Sequence, residues 1–288
     1  MSDVDALRRD TLDPITKLAG SESWVSEQLV RALAARYPVA LATTAPALLW
    51  MLLLNGGDGT ASLVVAHTGM RLDMLEGRFA RGLVARRPEL SLLEWLSGNG
   101  FPFGSTHSAC VDTAQLIGWV VASHIEPLRF LAQKGVLLPV RTLVEYAVGH
   151  AAPEVVGLLV EHSADHASPL AWSDVLVMAC TDGTTRLDVF RFIVRRTEPG
   201  LVWSFAASCL AAHAVTDGCA FDKFSTLRDM PRAAEWIVKP IHGRTPIERL
   251  CDRLTFENLA HLSPFIREYI ELGVPAANMP RVLSGLCK

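Results

Sequence analysis

The sequence lacks several features that would assign a chemistry or a compartment directly. It has no block of like charges: 27 lysines and arginines are interspersed with 30 aspartates and glutamates, for a formal charge of −3. A surface that binds nucleic-acid phosphates needs clustered basic residues, so nucleic acid is not an expected partner. None of the six cysteines belongs to a Cys-x-x-Cys pair, and no secretory leader precedes them. We therefore expect a reducing compartment, the cytosol or the nucleus.

The sequence also lacks an apolar run long enough to cross a membrane. Half of its residues are hydrophobic, yet the longest apolar runs, Val39–Leu54 and Gly200–Val215, fall short of the roughly 20 residues that span a bilayer. Polar residues or a proline interrupt both runs. We expect buried helices at these places, packed between neighbouring helices, and no membrane partner.

Alternating β-branched runs and hairpin dipeptides are scarce, which predicts an all-α protein. Apolar-periodic segments instead repeat one helix-end pattern: an apolar pair, a spacer, further apolar residues and a small residue at a turn. Successive copies lie 28 to 44 residues apart. They end at Gly100, Gly135, Ser163, Thr197, Ile241 and Gly273, with an earlier copy near Gly56. A period in the low thirties is typical of helical repeat arrays.

The segment Thr142–Asp165, TLVEYAVGHAAPEVVGLLVEHSAD, resembles an ankyrin repeat without a gap. Thr142 matches the start of the first helix, and Ala147 matches the small residue where the two helices of a repeat approach closely. The second helix of the repeat matches on its apolar face, at Val155, Val156, Leu158 and Leu159. The departures are Leu143, Glu145, Ala151, Ala152 and Ser163, so this copy is divergent.

Partial matches extend the resemblance from Asp112 to Val274 and predict an ankyrin-like solenoid of about six helix-turn-helix units. Residues 37–288 would form the array and residues 1–36 a helical cap, and a disordered start over the first ten residues is the alternative. The two longest intervals predict insertions, which usually lie in loops, at Asp58–Met70 and Cys219–Asp229. Within the best copy we expect helices over Thr142–Gly149 and Pro153–Glu161, with Leu159 buried.

Residues that could carry chemistry do not form complete sets. His162 and His166 are four apart but lack a third metal ligand. A cysteine nucleophile has two candidate partners nearby in sequence, Cys110 with His107 and Cys209 with His213, but no recognisable signature. Cys180 and Cys251 are expected to be small buried residues, and Trp95 and Trp236 core residues. Gly56-Gly57-Asp58-Gly59 lacks the residues that complete a phosphate loop. We predict no enzyme, no metal and no cofactor.

The ankyrin resemblance implies a monomeric protein-binding scaffold that uses its concave face and its hairpin tips. The expected partner-binding residues are Tyr146, His150, Trp172, Met178, Asp182 and Arg249. Two alternatives stay open: a HEAT or armadillo scaffold, and a helical enzyme with a Cys/His site. Ankyrin repeats require a hairpin-like connection before Thr142, Asp174 and Thr245, whereas HEAT repeats require only helix turns.

Overall fold

The computed structural model of the chain describes residues 27–74, 77–87, 89–103, 111–163, 169–241, 243–251 and 257–273. Within these ranges the regular structure is helical and contains no β-strand, which confirms the all-α prediction. A short 3-10 helix covers Leu72–Met74. The sixteen α-helices are α1 (Glu27–Arg36), α2 (Pro38–Leu54), α3 (Asp58–Thr68), α4 (Gly77–Arg86), α5 (Leu90–Gly98), α6 (Thr113–Val121), α7 (Ile125–Gln133), α8 (Val140–His150), α9 (Pro153–Ser163), α10 (Trp172–Thr181), α11 (Leu187–Arg196), α12 (Leu201–His213), α13 (Ala220–Arg228), α14 (Ala233–Ile237), α15 (Pro246–Cys251) and α16 (Leu259–Glu271).

The contacts between residues divide the chain into two compact units. The first unit takes in the chain up to Trp119 together with Glu126–Leu137, and the second takes in Val120–Ile125 and the chain from Leu138 onward. Among the described helices, none combines the length and the apolar content that a bilayer-spanning helix requires. The two long apolar runs of the sequence are the packed helices α2 and α12 instead.

In the first unit, α2 and α3 pack against each other, and one arginine ties the start of α3 to the end of α2. The guanidinium of Arg87, with only 12% of its side chain exposed, donates to the Leu53 carbonyl at 2.8 Å and to the Asp58 carboxylate at 2.7 Å. Asp58 is the first residue of α3. The prediction of a loop insertion at residues 58–70 is therefore wrong, because most of that segment is this helix.

Glycines end several helices in the same way, which explains the four copies of the repeated sequence pattern that end in glycine. Gly56, Gly100, Gly135 and Gly273 each lie two residues after a helix and have φ between 72° and 84°. After α5, Phe101 N–H donates to the Leu96 carbonyl and Gly100 N–H to Ser97, and α7 ends with the equivalent pair of bonds. This left-handed cap satisfies helix carbonyls and is open to glycine at no steric cost.

The second unit contains consecutive helix pairs packed in series. Within each pair, α8 contacts α9, α10 contacts α11, and α12 contacts α13. The first helices of the pairs contact one another in the order α8, α10, α12, α15, and the second helices in the order α9, α11, α13. The predicted spans 142–149 and 153–161 lie within α8 and α9, which confirms both helices. Leu159 is fully buried and Glu161 is exposed, also as predicted.

Within the second unit, turns between helices contact the neighbouring turns or helices. The Ser123 hydroxyl accepts a hydrogen bond from Ala152 N–H at 2.9 Å. Further along, the Lys223 ammonium donates to the Asp217 carboxylate, in the turn before α13, at 2.7 Å and lies 3.5 Å from the Asp182 carbonyl, in the turn before α11. Lys223 lies on α13, so the predicted insertion at 219–229 is also wrong: the segment is the second helix of a pair. The sequence did not indicate this role, because a lysine is normally a surface residue. Lys223 can be buried here because Asp217 neutralises its charge.

The last pair begins with a short hairpin and a helix cap. Ile241 and Arg244 form an antiparallel bridge. Thr245 N–H then donates to the Glu248 carboxylate at 2.7 Å, and Glu248 N–H donates back to the Thr245 hydroxyl at 3.4 Å. This reciprocal arrangement is a capping box, and it begins α15 at Pro246, directly after the residue before which an ankyrin repeat requires a hairpin-like connection.

Candidate functional site

The first helices α8 and α10 expose equivalent residues because their buried residues have the same spacing. The buried sets are Leu143, Val144, Ala147 and Val148 on α8, and Val175, Leu176, Ala179 and Cys180 on α10. Tyr146 and Met178 each precede the buried alanine of their helix and so hold the same position. Tyr146 is 43% exposed and Met178 is half-buried. Since α8 packs on α10, both residues belong to one face.

Helix α12 continues this face and was not recognised in the sequence as a first helix. Its residues Ala206, Ala207, Leu210 and Ala211 are buried with the same spacing, which places the half-buried Cys209 at the position of Tyr146 and Met178. Phe205, one turn earlier, is 39% exposed. The helix that begins at Leu201 is apolar on both its buried and its exposed side. Hydrophobicity alone therefore could not have identified Phe205 as an exposed residue. The spacing of the small residues was the only available signal.

Asp182 lies beside the end of α8, where the exposed His150 is the last helical residue. One oxygen of its carboxylate accepts hydrogen bonds from the Thr184 N–H at 2.8 Å and the Thr184 hydroxyl at 2.7 Å. The other oxygen is so close to Gly149 that a Cβ at this glycine would lie 2.7 Å away. Asp182 and the end of α8 thus adjoin each other, and Gly149 allows the approach because it has no side chain.

Two predicted site residues lie elsewhere. Trp172 begins α10 at the end opposite Asp182, and its ring packs edge-to-face on Phe192 of α11, with ring centroids 5.9 Å apart. Arg249 lies on α15, which packs on α12, and its guanidinium donates to the Ile241 carbonyl of the preceding hairpin. Helix α12 therefore lies between the helices of Met178 and Arg249, so these two residues are not neighbours. The Arg249 side chain instead stabilises the start of its own helix pair.

The candidate chemical groups are dispersed. Burial raises the pKa of the Cys180 thiol well above its ordinary value, which agrees with a small buried residue and disfavours a thiolate. Cys209 and His213 are both half-buried, one turn apart on α12. His107, Cys110 and His166 lie outside the described residues. In the described ranges, no group of three or more His, Cys, Asp or Glu residues could hold a metal ion.

The tryptophans predicted to be core residues are only half-buried. The Trp95 indole N–H donates to the Ser62 hydroxyl at 2.8 Å, so this ring joins α5 to α3 at the edge of the first unit. The Lys239 ammonium lies 3.4 Å from the centroid of the Trp236 ring. Trp203, by contrast, is 1% exposed. The core prediction is therefore wrong for Trp95 and Trp236, because both rings are partly exposed; the tryptophan that is buried, Trp203, was not predicted.

The exposed side of α8, α10 and α12 is defined by its residues Tyr146, Met178, Phe205 and Cys209, and is called the first-helix face below. Large aromatic side chains that are partly exposed supply contact area at low conformational cost, and they dominate the energetics of many protein interfaces.

No family model, no curated protein and no solved structure matches the chain. The serial packing of the first helices is therefore the observation from which a function must be inferred.

Proposed function

We propose that the chain is a protein-binding scaffold of ankyrin-like type that recognises a partner protein through the first-helix face. The observation that carries this proposal is the packing of α8, α10 and α12 in series, each pair closed by its second helix. Neighbours on both sides hold the central helix, so its side chains stay at fixed spacing. A rigid face of this kind loses little conformational entropy when a partner docks.

The composition of the face supports a protein partner. Tyr146 and Phe205 are 43% and 39% exposed, and the half-buried Met178 lies between them in the order of the helices. Aromatic residues and methionine are enriched at protein interfaces. The end of α8 adds His150, and the turn after α10 adds Asp182 beside it; these polar residues suit the hydrated rim of an interface.

The connections between helix pairs bear on the type of repeat. The bridge between Ile241 and Arg244, directly before Thr245, supports the ankyrin-like type. The connections at 134–139 and 197–200 contain no bridge, which favours a HEAT or armadillo scaffold as the second candidate. Part of the connection before Asp174, residues 164–168, lies outside the described residues. Both repeat types bind proteins, so the proposed function is the same for either.

The test is a partner screen with matched variants of the full chain. Proteins captured by the wild-type chain are identified by mass spectrometry, and their affinities are then measured for Tyr146→Ala/Met178→Ala. We expect binding to weaken by about 1–2 kcal/mol or more at an unchanged melting temperature. The control is Ile270→Ala, an exposed residue of α16 with 47% exposure, comparable to Tyr146. Equal loss in the control, or none in the variant, would refute the assignment of the face.

The proposal includes no catalytic role, no metal and no cofactor. A structural metal would be part of the folding free energy, and its removal would lower stability strongly. We therefore expect treatment with a chelator such as EDTA to leave the melting temperature of the purified chain unchanged. A decrease of many degrees would contradict this expectation. The cytosolic or nuclear location and the monomeric state remain predictions.

A further inference from the structure

A cluster of aromatic and cationic side chains lies where the end of α11, a second helix, meets the start of its partner α10. The Thr197 hydroxyl is 3.4 Å from the Trp172 carbonyl, which ties the two helix ends together. The Arg196 guanidinium carbon lies 3.7 Å from the centroid of the Phe192 ring and 5.6 Å from that of Trp172. Stacking on these rings restrains the guanidinium and leaves its N–H edge available to a ligand.

Three arginines occupy the solvent side of the same helix. Arg191, Arg195 and Arg196 are exposed, and none forms an ion pair with a carboxylate in the described part of the chain. Arg186, just before the helix, differs because it is bound to Asp188 at 2.7 Å. The helix dipole favours cations in the last turn, which accounts for Arg195 and Arg196. It does not account for Arg191, which lies one turn before Arg195, where like charges repel.

We propose that this side of α11, formed by Arg191, Arg195 and Arg196 and called the arginine face, binds an acidic segment of a partner protein. Guanidinium groups bind carboxylates through paired hydrogen bonds, and a guanidinium already held by aromatic rings loses less freedom on binding. The arginine face belongs to the layer of second helices. The proposal therefore goes beyond the first-helix face and does not depend on it.

The surroundings favour a short peptide over a nucleic acid. The neighbouring helix α9 exposes Glu154 and Glu161, which would repel a continuous chain of phosphates. The chain as a whole has a formal charge of −3, and nucleic-acid binding requires basic residues spread over a longer surface. The proposed ligand is therefore a short segment with two carboxylates, which is enough to pair with the arginines of the last two turns of α11.

The test measures binding of a fluorescein-labelled glycine–serine peptide that carries two adjacent glutamates to the full chain by fluorescence anisotropy. We expect saturable binding that weakens with added salt and that becomes about tenfold weaker in Arg195→Gln/Arg196→Gln. The matched control, Arg186→Gln, removes an exposed arginine that is already paired and should change the affinity by less than about twofold. Absence of binding to the wild type, or equal binding to the double variant, would overturn the proposal.

Further arms separate the remaining explanations. Arg196→Lys keeps the charge but loses the planar stack, so it should bind more weakly than wild type and retain the helical circular-dichroism spectrum. If the double variant does not fold, Arg191→Gln replaces it and should still weaken binding. Tyr146→Ala/Met178→Ala should leave binding of the diglutamate peptide unchanged, and a loss there would place the acidic segment on the first-helix face and refute the arginine face. Equally tight, variant-sensitive binding of a thymidine oligonucleotide would also refute it.

Discussion

The buried ion pair between Lys223 and Asp217 allows a quantitative test of the helix-pair arrangement. Its atoms lie 2.7 Å apart, and the two side chains are 0% and 2% exposed. The pair joins α13 to the turn that precedes it, and Lys223 also reaches the Asp182 carbonyl of the neighbouring pair at 3.5 Å. Removing either partner leaves an uncompensated charge in the interior, which costs about 3–5 kcal/mol.

The two single variants should not be equivalent. In Lys223→Met the Asp217 carboxylate keeps a hydrogen bond from Cys219 N–H at 2.9 Å. In Asp217→Ala the ammonium keeps, among the described residues, only the long contact to the Asp182 carbonyl, and Cys219 N–H loses its acceptor. We therefore expect Asp217→Ala to lower the free energy of unfolding by about 4–5 kcal/mol and Lys223→Met by about 3 kcal/mol. The double variant should be less destabilised than the sum of the two, because it leaves no unpaired charge.

Urea unfolding followed by far-ultraviolet circular dichroism measures these differences, provided that the slope of the transition is unchanged. The matched control is Arg186→Ala, which breaks an exposed pair with Asp188 and should cost less than about 1 kcal/mol. If both core variants lose less than about 1 kcal/mol, the pair is hydrated and the packing of α13 described above is wrong. Strict additivity in the double variant would equally refute the coupling.

Two further predictions concern buried side chains of the second unit. Leu159→Ala should lower the free energy of unfolding by about 2–5 kcal/mol, and the exposed Glu161→Ala should change it by less than about 0.5 kcal/mol; equal urea midpoints would contradict the register of α9. Burial raises the pKa of Tyr269 above its ordinary value of 10.0, so the folded state resists ionisation and loses stability as the pH rises above about 10. Tyr269→Phe removes this loss and a hydroxyl without a hydrogen-bond partner among the described residues. It should raise stability by about 1 kcal/mol at pH 8 and by more above pH 10, and a lower urea midpoint at either pH would contradict the assignment.

The sequence by itself determined the features that depend on neighbouring residues. The helical class follows from apolar periodicity, and the helix ends follow from glycines, because few other residues adopt the left-handed conformation that the caps at Gly100 and Gly135 use. The helices α8 and α9 were predicted to within two residues at their ends, since Pro153 favours the first turn of a helix and Ala147 allows close packing. The equivalence of Tyr146 and Met178 also follows from local spacing.

Only the tertiary structure decided what depends on residues far apart in the chain. Helix α13 contains a buried lysine, which a sequence pattern assigns to the surface, and Lys223 is buried only because the turn at Asp217 and the neighbouring turn at Asp182 supply its acceptors. The uniformly apolar α12 carries no signal for which side faces its neighbours. The stacking of Arg196 on Trp172 joins two helix ends 24 residues apart. Such contacts depend on how the helix pairs are placed in space, and local propensity carries no information about that placement.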